Sequence, residues 1–239
     1  MTVQSNAGAI DTSTQERHLE FYRQHIRPGD ICFDVGANVG DKTEIFLALG
    51  AVVVAFEPQA DCVATMRRRL GKRQNLTIEA CALGEQVATS QIMICEQFST
   101  ISSMSPEWIN AVKRSGRFAK GDWNRAQTVT VATLDSMIRK HGLPSFIKID
   151  VEGYEYQVLR GLNRRVPVIS IEFTPELFRS TVHCIHRMAG LGEIELNCSL
   201  EDSMAYVLPQ WVGPLEMCRV LSGFGKDRPI WGDVYIRAL

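Results

Sequence analysis

The chain lacks the features that mark several large classes of protein. None of its apolar runs approaches the roughly 18 residues that a membrane span requires, and its polar beginning contains no apolar core of a signal peptide. A formal net charge of −1, from 26 basic and 27 acidic residues, gives no bulk attraction to phosphate polymers. We therefore expect no membrane and no nucleic-acid partner, a cytoplasmic location, and disorder over residues 1–14.

Cysteine pairs at metal-binding or redox spacing are also absent. The seven cysteines are odd in number, none belongs to a Cys-x-x-Cys pair, and several fall within apolar patterns typical of strands. They are typical of reduced core residues. No linker rich in proline, glycine or serine divides the 239 residues, and no internal repeat occurs, so residues 15–239 are predicted to form one domain with a sizeable core.

Short apolar runs alternate with helical patterns along most of the chain. Such alternation predicts an α/β fold with a largely parallel, seven-stranded sheet, helices on both faces and ligands at the carboxyl ends of the strands. The predicted parallel strands start at Ile31 and cover 52–56, 76–80, 146–150 and 168–173. Candidate strands for an antiparallel edge are 194–196, 204–208 and 233–236.

The regular pattern weakens between residues 91 and 125. A long irregular excursion in a compact domain is often a lid or a substrate loop, so 97–126 is interpreted as a lid or substrate insertion. Trp108, Phe118 and Trp123 lie in it and are predicted to form a satellite core rather than a stacking platform.

A glycine turn follows the first strand and is the main functional signal. The turn reads Asp34-Val35-Gly36-Ala37-Asn38-Val39-Gly40, and the second strand ends at Glu57-Pro58. Glycines let the backbone approach a ligand closely, the next helix presents unpaired N–H groups, and a carboxylate on the neighbouring strand can accept two hydrogen bonds from ribose hydroxyls. The unit therefore predicts a nucleoside-binding site.

The charge of the turn distinguishes between nucleoside ligands. Dinucleotide-binding turns carry a third glycine that is missing here, and the carboxylate of Asp34 would oppose a pyrophosphate. The same carboxylate favours S-adenosylmethionine, which carries a sulfonium and an ammonium, no phosphate, and a ribose. A nicotinamide-dependent oxidoreductase and a non-catalytic nucleotide-binding module remain the alternatives.

Five segments, taken in order, resemble the FkbM-type S-adenosylmethionine-dependent methyltransferases over roughly residues 28–175. They are residues 33–40 (FDVGANVG), 55–58 (AFEP), 82–84 (ALG), 131–135 (VATLD) and 147–155 (IKIDVEGYE). The resemblance implies a Rossmann-like class I methyltransferase fold with S-adenosylmethionine as cofactor. It also implies O-methylation of a hydroxyl on a sugar, a glycan or a secondary metabolite.

The resemblance also implies roles for individual residues toward the cofactor. Glu57 would take the ribose hydroxyls, and Asp150 would face the methionine moiety or the transferred methyl. The residues implied for the methionyl part are Asp34, Gly36, Asn38 and Gly40, and those for the adenine are Cys81, Ala82 and Leu83.

Carboxylates at the ends of adjacent strands are the candidates for proton transfer. Methyl transfer to a hydroxyl depends on alignment of the oxygen and on a base for its proton. Asp150, Glu152 and Glu172 are predicted to crowd on the ligand side, which raises carboxyl pKa values. Lys148 alternates with Asp150 and could orient or deprotonate. Alternatively, Glu152 caps a helix or pairs with Lys148, and Glu172 makes a structural hydrogen bond.

Two groups of residues resemble metal ligands, but no metal is predicted. His183 and His186 lie three apart on a predicted helix, without the third ligand that zinc needs. Asp150, Glu152 and Glu172 could bind magnesium, although we expect none to be required. No pattern identifies the small-molecule or glycan acceptor or the oligomeric state. Residues that select the acceptor are expected within 97–126 and 176–229.

Overall fold

A computed structural model describes residues 12–224 and 230–239, and its elements follow the predicted alternation of strands and helices. The strands are β1 (Ile31–Val35), β2 (Val52–Phe56), β3 (Leu76–Glu79), β4 (Ala82–Leu83), β5 (Ala88–Cys95), β6 (Trp123–Ala132), β7 (Phe146–Ile149), β8 (Val168–Phe173), β9 (Ile194–Leu200) and β10 (Gly232–Ala238). The helices are α1 (Thr12–Tyr22), α2 (Asp41–Ala48), α3 (Ala60–Leu70), α4 (Pro106–Ser115), α5 (Leu134–His141), α6 (Glu155–Arg160), α7 (Phe178–Ala189) and α8 (Pro214–Gly223).

The main sheet has seven strands in the order β3-β2-β1-β7-β8-β10-β9. The first five are parallel, and β10 runs antiparallel between β8 and β9. The predicted α/β fold with a largely parallel seven-stranded sheet is confirmed. The chain leaves β1 toward β2 on one side and later returns to β7 on the other, and ligands of open α/β sheets bind where the order reverses in this way.

Alternate residues of the central strands enter two different cores. Phe33 and Val35 of β1 belong to the core under α5–α8, whereas Cys32 belongs to the core under α1–α3. Full burial of such apolar side chains contributes roughly 1.5–3 kcal/mol each, so this alternation fixes which way each strand faces. By the same period of two, Asp34 points to the α2 side, and Lys148, its register partner on β7, does so as well.

The prediction of an irregular segment over 91–125 was wrong. β5 pairs antiparallel with β6, and β4 pairs with β6 to complete a three-stranded sheet. Along the chain, helix α4 connects β5 to β6. Local signals for α4 were present, since Ser105 caps its start by accepting a hydrogen bond from the Trp108 amide and Gly116 ends it in a left-handed conformation. Trp108 and Trp123 are buried in a separate small core, which confirms the satellite-core interpretation for these two residues.

Several boundaries also differ from the sequence predictions. Helix α1 begins at Thr12, so residues 12–14 are helical rather than disordered, and residues 1–11 lie outside the described residues. The strand predicted at 204–208 is a loop, and helix α8 was missed. Among residues 12–224 and 230–239, no helix has the length and apolar character needed to cross a membrane.

Candidate active site

A cavity of about 790 Å³ opens at the carboxyl ends of β1, β2, β7 and β8. This volume is within the range of small-molecule sites. The sequence-predicted residues that line it are Gly36, Asn38, Glu57, Cys81, Ala82, Leu83, Asp150, Glu152 and Glu172. Three predicted residues, Asp34, Gly40 and Lys148, are not among the lining residues.

The turn after β1 brings three strand ends together. The amides of Gly36 and Ala37 donate to the Phe56 carbonyl at 2.9 and 3.1 Å, and the Asp150 amide donates to the Val35 carbonyl at 2.9 Å. Gly36 has a φ of 84°, and a Cβ there would lie 1.8 Å from the Asp150 carbonyl oxygen. Only glycine fits this position, so the wall of the cavity depends on it.

Glu57 is held in the cavity wall by backbone amides on both sides. Its carboxylate accepts from the Asn38 amide at 2.8 Å and from the Gln59 amide at 2.7 Å. Each carboxylate oxygen has a second lone pair, so the group can still accept two hydroxyl hydrogen bonds. Burial raises the pKa of Glu57 to about 7, although both amide hydrogen bonds oppose the rise.

Asp34 lies behind the cavity wall rather than in it. It is 2% exposed and accepts a hydrogen bond from the Thr43 hydroxyl of α2 at 2.5 Å. Burial raises its pKa to about 6, against the effect of the Thr43 hydrogen bond. Gly40 precedes α2 as its N-cap with a φ of 91°, and its close neighbour is Met66 of α3. Both residues therefore support the turn, and neither is among the residues that line the cavity.

Lys148 forms a buried ion-pair network that ends at the cavity. Its ammonium lies 2.9 Å from Asp233 Oδ1 and 3.2 Å from Asp150 Oδ2, and its side chain is 3% exposed. Burial alone would lower the pKa of Lys148, but Asp150 and Asp233 outweigh burial and hold that pKa well above its ordinary value. A permanently charged ammonium donates hydrogen bonds and takes no proton, so the arrangement fits orientation of Asp150 rather than deprotonation.

Asp150, Glu152 and Glu172 do converge. Each offers a carboxylate oxygen, and these oxygens all lie within 4.8 Å of one another. Burial raises the pKa of Glu152 and of Glu172 well above the ordinary value, and repulsion from neighbouring carboxylates raises both further. Glu172 Oε2 is buried without a hydrogen-bond partner among the described residues. The Glu172 residue itself lines the cavity.

Glu155 is a structural carboxylate that the sequence reasoning did not single out. It accepts hydrogen bonds from the amides of Val151 and Gly153 at 3.1 and 3.2 Å, so it fixes the turn that carries Glu152. Glu152 has a φ of 53°, and its carbonyl accepts from the Ser103 hydroxyl at 2.7 Å. Helix α6 has no side-chain cap, so the capping role considered for Glu152 is wrong, and Glu152 lines the cavity.

Further lining residues come from segments without an interpretable pattern. Ser115 ends α4, and Arg117 and Phe118 follow it. Asp202 follows β9 and Trp231 precedes β10. The two segments expected to select the acceptor, 97–126 and 176–229, both contribute to the cavity.

Histidines take no part in a cluster of potential metal ligands among residues 12–224 and 230–239. His183 and His186 are exposed on α7. The described residues contain one group of three or more potential ligands, which is Asp150 with Glu152 and Glu172.

The strand order, the glycine turn and a carboxylate at the end of the second strand together define a Rossmann-like methyltransferase. A family model described as methyltransferase FkbM domain matches residues 34–192, which is more than half of the chain. The chain belongs to this family.

Individual relatives are distant. The 31-O-demethyl-FK506 methyltransferase FkbM of Streptomyces tacrolimicus is 27% identical over 159 residues, which cover 57% of this chain and 61% of that protein. The crystal structure of EvdMO1 aligns with a TM-score of 0.51 at 10% identity, over 99% of this chain and 45% of that one. A precorrin-6y C5,15-methyltransferase from Geobacter metallireducens GS-15 aligns with a TM-score of 0.49 at 11% identity, over 99% and 94% of the two chains.

Proposed function

We propose that this methyltransferase uses S-adenosylmethionine to methylate a hydroxyl of a sugar, a glycan or a secondary metabolite. The observation that carries the proposal is Glu57, whose carboxylate is fixed by two amides in the wall of the cavity and keeps lone pairs for ribose hydroxyls. Oxygen as the acceptor atom is supported by the relative from Streptomyces tacrolimicus, whose name describes an O-demethyl compound.

Different residues are assigned to the separate requirements of an in-line methyl transfer. S-adenosylmethionine supplies an electrophilic methyl on a sulfonium. In the reaction a C–O bond forms to the acceptor oxygen, the C–S bond breaks, and the hydroxyl proton passes to a carboxylate. Glu172 is assigned as that base because it lines the cavity and its carboxyl has no hydrogen-bond partner at Oε2 among the described residues. Glu152 is the second candidate, and Lys148 orients Asp150 toward the methionine moiety or the methyl.

The fixed residues along the cavity wall are assigned to the cofactor. Gly36 and Asn38 stand beside the methionyl part, and Cys81, Ala82 and Leu83 stand along the adenine. Asp34 and Gly40 contribute by holding the turn, and the buried carboxylate of Asp34 favours a cationic ligand through its field.

S-adenosylhomocysteine is expected to raise the melting temperature of the protein, whereas NAD is not. Binding to the folded state alone stabilises it by mass action, at roughly 2.7 kcal/mol when the ligand is at 100 times its Kd. Differential scanning fluorimetry with both ligands checks this. Stabilisation by NAD alone would contradict the assignment in favour of an oxidoreductase. Cofactor binding without methyl transfer to any compound of a broad hydroxylated library would instead indicate a binding module.

Replacing Glu57 by alanine is expected to weaken S-adenosylhomocysteine binding by roughly 1.5–3 kcal/mol, the range for hydrogen bonds to a charged group. Ribose hydroxyls donate to the ionised carboxylate, so binding favours ionisation of a group whose pKa in the free protein is about 7. Affinity should therefore rise with pH through about 6 to 7 and then level off.

Titration calorimetry of the wild type and Glu57→Gln across this pH range tests the same assignment. Glutamine keeps the shape of the side chain but has no proton to lose, so its affinity should be low and independent of pH. Unchanged affinity in Glu57→Ala, with an unchanged melting temperature, would remove the ribose assignment.

Magnesium is not expected to be required. One Asp150 oxygen already lies 3.2 Å from the Lys148 ammonium, which neutralises part of the charge that would attract a cation to this cluster. Activity should therefore be the same in excess EDTA and in millimolar magnesium. A loss of activity in EDTA that magnesium restores would instead assign Asp150, Glu152 and Glu172 as its ligands.

A further inference from the structure

We infer that residues 99–103 form a strap that links the cofactor site to the turn carrying Glu152, with Ser99 and Ser103 as positioning residues at its two ends. The inference rests on the proposed function, because it concerns how a bound cofactor prepares that same site. The strap residues that line the cavity are Thr100, Ile101 and Ser102. Ser99 and Ser103 are not among the lining residues, so replacing either serine removes a contact within the chain.

The first end of the strap is held by the same two residues that hold Glu57. Asn38 and Gln59 donate their backbone amides to the Glu57 carboxylate, and their side chains reach Ser99. Asn38 Nδ2 and Oδ1 each lie 3.3 Å from the Ser99 hydroxyl oxygen, and Gln59 Nε2 donates to the Ser99 carbonyl at 3.1 Å. Ser99–Ile101 is a single 3₁₀ turn, whose own hydrogen-bond geometry is poor, so these side-chain contacts help to fix its position.

The other end of the strap is tied to the turn that carries Glu152. The Ser103 hydroxyl donates to the Glu152 carbonyl at 2.7 Å and accepts from the Ser105 amide at 2.8 Å. Glu152 has a φ of 53°, which is uncommon for a residue other than glycine, so its backbone depends on surrounding contacts. A shift of the strap therefore changes a hydrogen bond that holds Glu152 at the cavity.

Cofactor binding can reach the strap through the charge of Glu57. Burial raises the pKa of Glu57 to about 7, so the free protein contains both forms of this carboxyl near neutral pH, and ribose hydroxyls favour the ionised form. Hydrogen bonds to an ionised acceptor are roughly twice as strong as those between neutral groups. The bound cofactor therefore holds the backbone of Asn38 and Gln59 more firmly, and through their side chains it holds Ser99.

Hydrogen–deuterium exchange with saturating S-adenosylhomocysteine tests this link without any turnover. In the wild type the ligand should slow exchange in peptides that cover the strap and in residues 151–155, which include the Glu152 turn. Ser99→Ala removes the hydroxyl that meets Asn38, and the slowing at both places should become about fivefold smaller, as expected for the loss of one hydrogen bond. The slowing at residues 36–39, in the cofactor site itself, should persist.

Three further variants control for a purely structural effect. Ser99 is only partly buried, so Ser99→Ala is expected to fold, and Ser99→Thr, which keeps the hydroxyl, should restore the slowing. Ser90→Ala makes the same change on β5 outside the cavity lining and should leave the slowing as in the wild type. Ser103→Ala releases the other end, so it should reduce the slowing at residues 151–155 and spare that at Ser99.

The outcomes distinguish failure of this inference from failure of the proposed function. Equal slowing in the wild type and Ser99→Ala, with S-adenosylhomocysteine bound to both, would overturn the inference and leave the proposed cofactor intact. An effect of Ser99→Ala on the strap that spares residues 151–155 would also overturn it, because the strap would then end at the cofactor site. Absence of S-adenosylhomocysteine binding to the wild type would contradict the proposed cofactor, and the inference with it.

Discussion

Glu172→Gln is expected to lower kcat/KM for methyl transfer by about 10²–10⁴-fold, the usual contribution of a positioned general base. The substitution preserves the shape of a side chain whose Oε2 is buried without a partner among the described residues, but an amide cannot accept the hydroxyl proton. S-adenosylhomocysteine affinity should change little, because Glu172 lies on β8 and Glu57 lies across β1. Steady-state kinetics and calorimetry measure the two quantities separately.

The pH profile distinguishes a base from a structural carboxyl. Burial, with repulsion from Glu152 and Asp150, raises the pKa of Glu172, so the active ionised form is gained as pH rises. The kcat/KM of the wild type should therefore rise with pH to a plateau, and the residual activity of Glu172→Gln should lack that rise. Glu152→Gln is the matched control on the neighbouring carboxyl. A full loss of activity in Glu152→Gln, with Glu172→Gln unaffected, would transfer the role to Glu152.

The part of the site that the sequence predicts is the part built from local motifs. Strand, turn and helix follow one another directly at Gly36, and Glu57 ends the next strand, so their proximity follows from parallel topology alone. Asp150, Glu152 and Glu172 were also predicted to converge, because adjacent parallel strands end at one edge.

Asp34 and Lys148 show how the alternation of a strand places a side chain. In each strand the apolar neighbours show which face is which, and the period of two places both side chains on the α2 side. There Asp34 accepts a hydrogen bond from Thr43, and Lys148 donates one to Asp233. The alternation of Cys32 and Phe33 between two cores contains that signal, whereas the sequence prediction for Asp34 depends on its closeness to the glycine turn.

Contacts between distant segments had no signal in the sequence. Arg117 meets Glu176 and Trp231 only because the loop after α4 lies near the end of β8 and the start of β10. No periodicity within either segment specifies such a contact. The same is true of the Lys148–Asp233 ion pair, which depends on the antiparallel insertion of β10 beside β8.

Among alanine substitutions in the turn, Gly36→Ala is expected to lower the free energy of unfolding most. An L-residue at a φ of 84° costs roughly 1–2 kcal/mol in backbone strain. The added Cβ would also lie 1.8 Å from the Asp150 carbonyl oxygen, a backbone atom that cannot rotate away. Overpacking adds roughly 1–3 kcal/mol or more, which together is a large share of a typical folding free energy.

Gly29→Ala is the control that separates backbone strain at a positive φ from the steric clash with the Asp150 carbonyl. Gly29 has a φ of 87°, and a Cβ there would meet nothing within 4 Å, so it should lose only the backbone term. Urea unfolding of both variants measures the difference, which should be at least about 1 kcal/mol. Because the carbonyl that must move belongs to Asp150, Gly36→Ala should also weaken S-adenosylhomocysteine binding, and Gly29→Ala should not. Equal losses of stability would mean that Gly36 is required for its φ alone and that the contact between the turn and the end of β7 does not constrain the site.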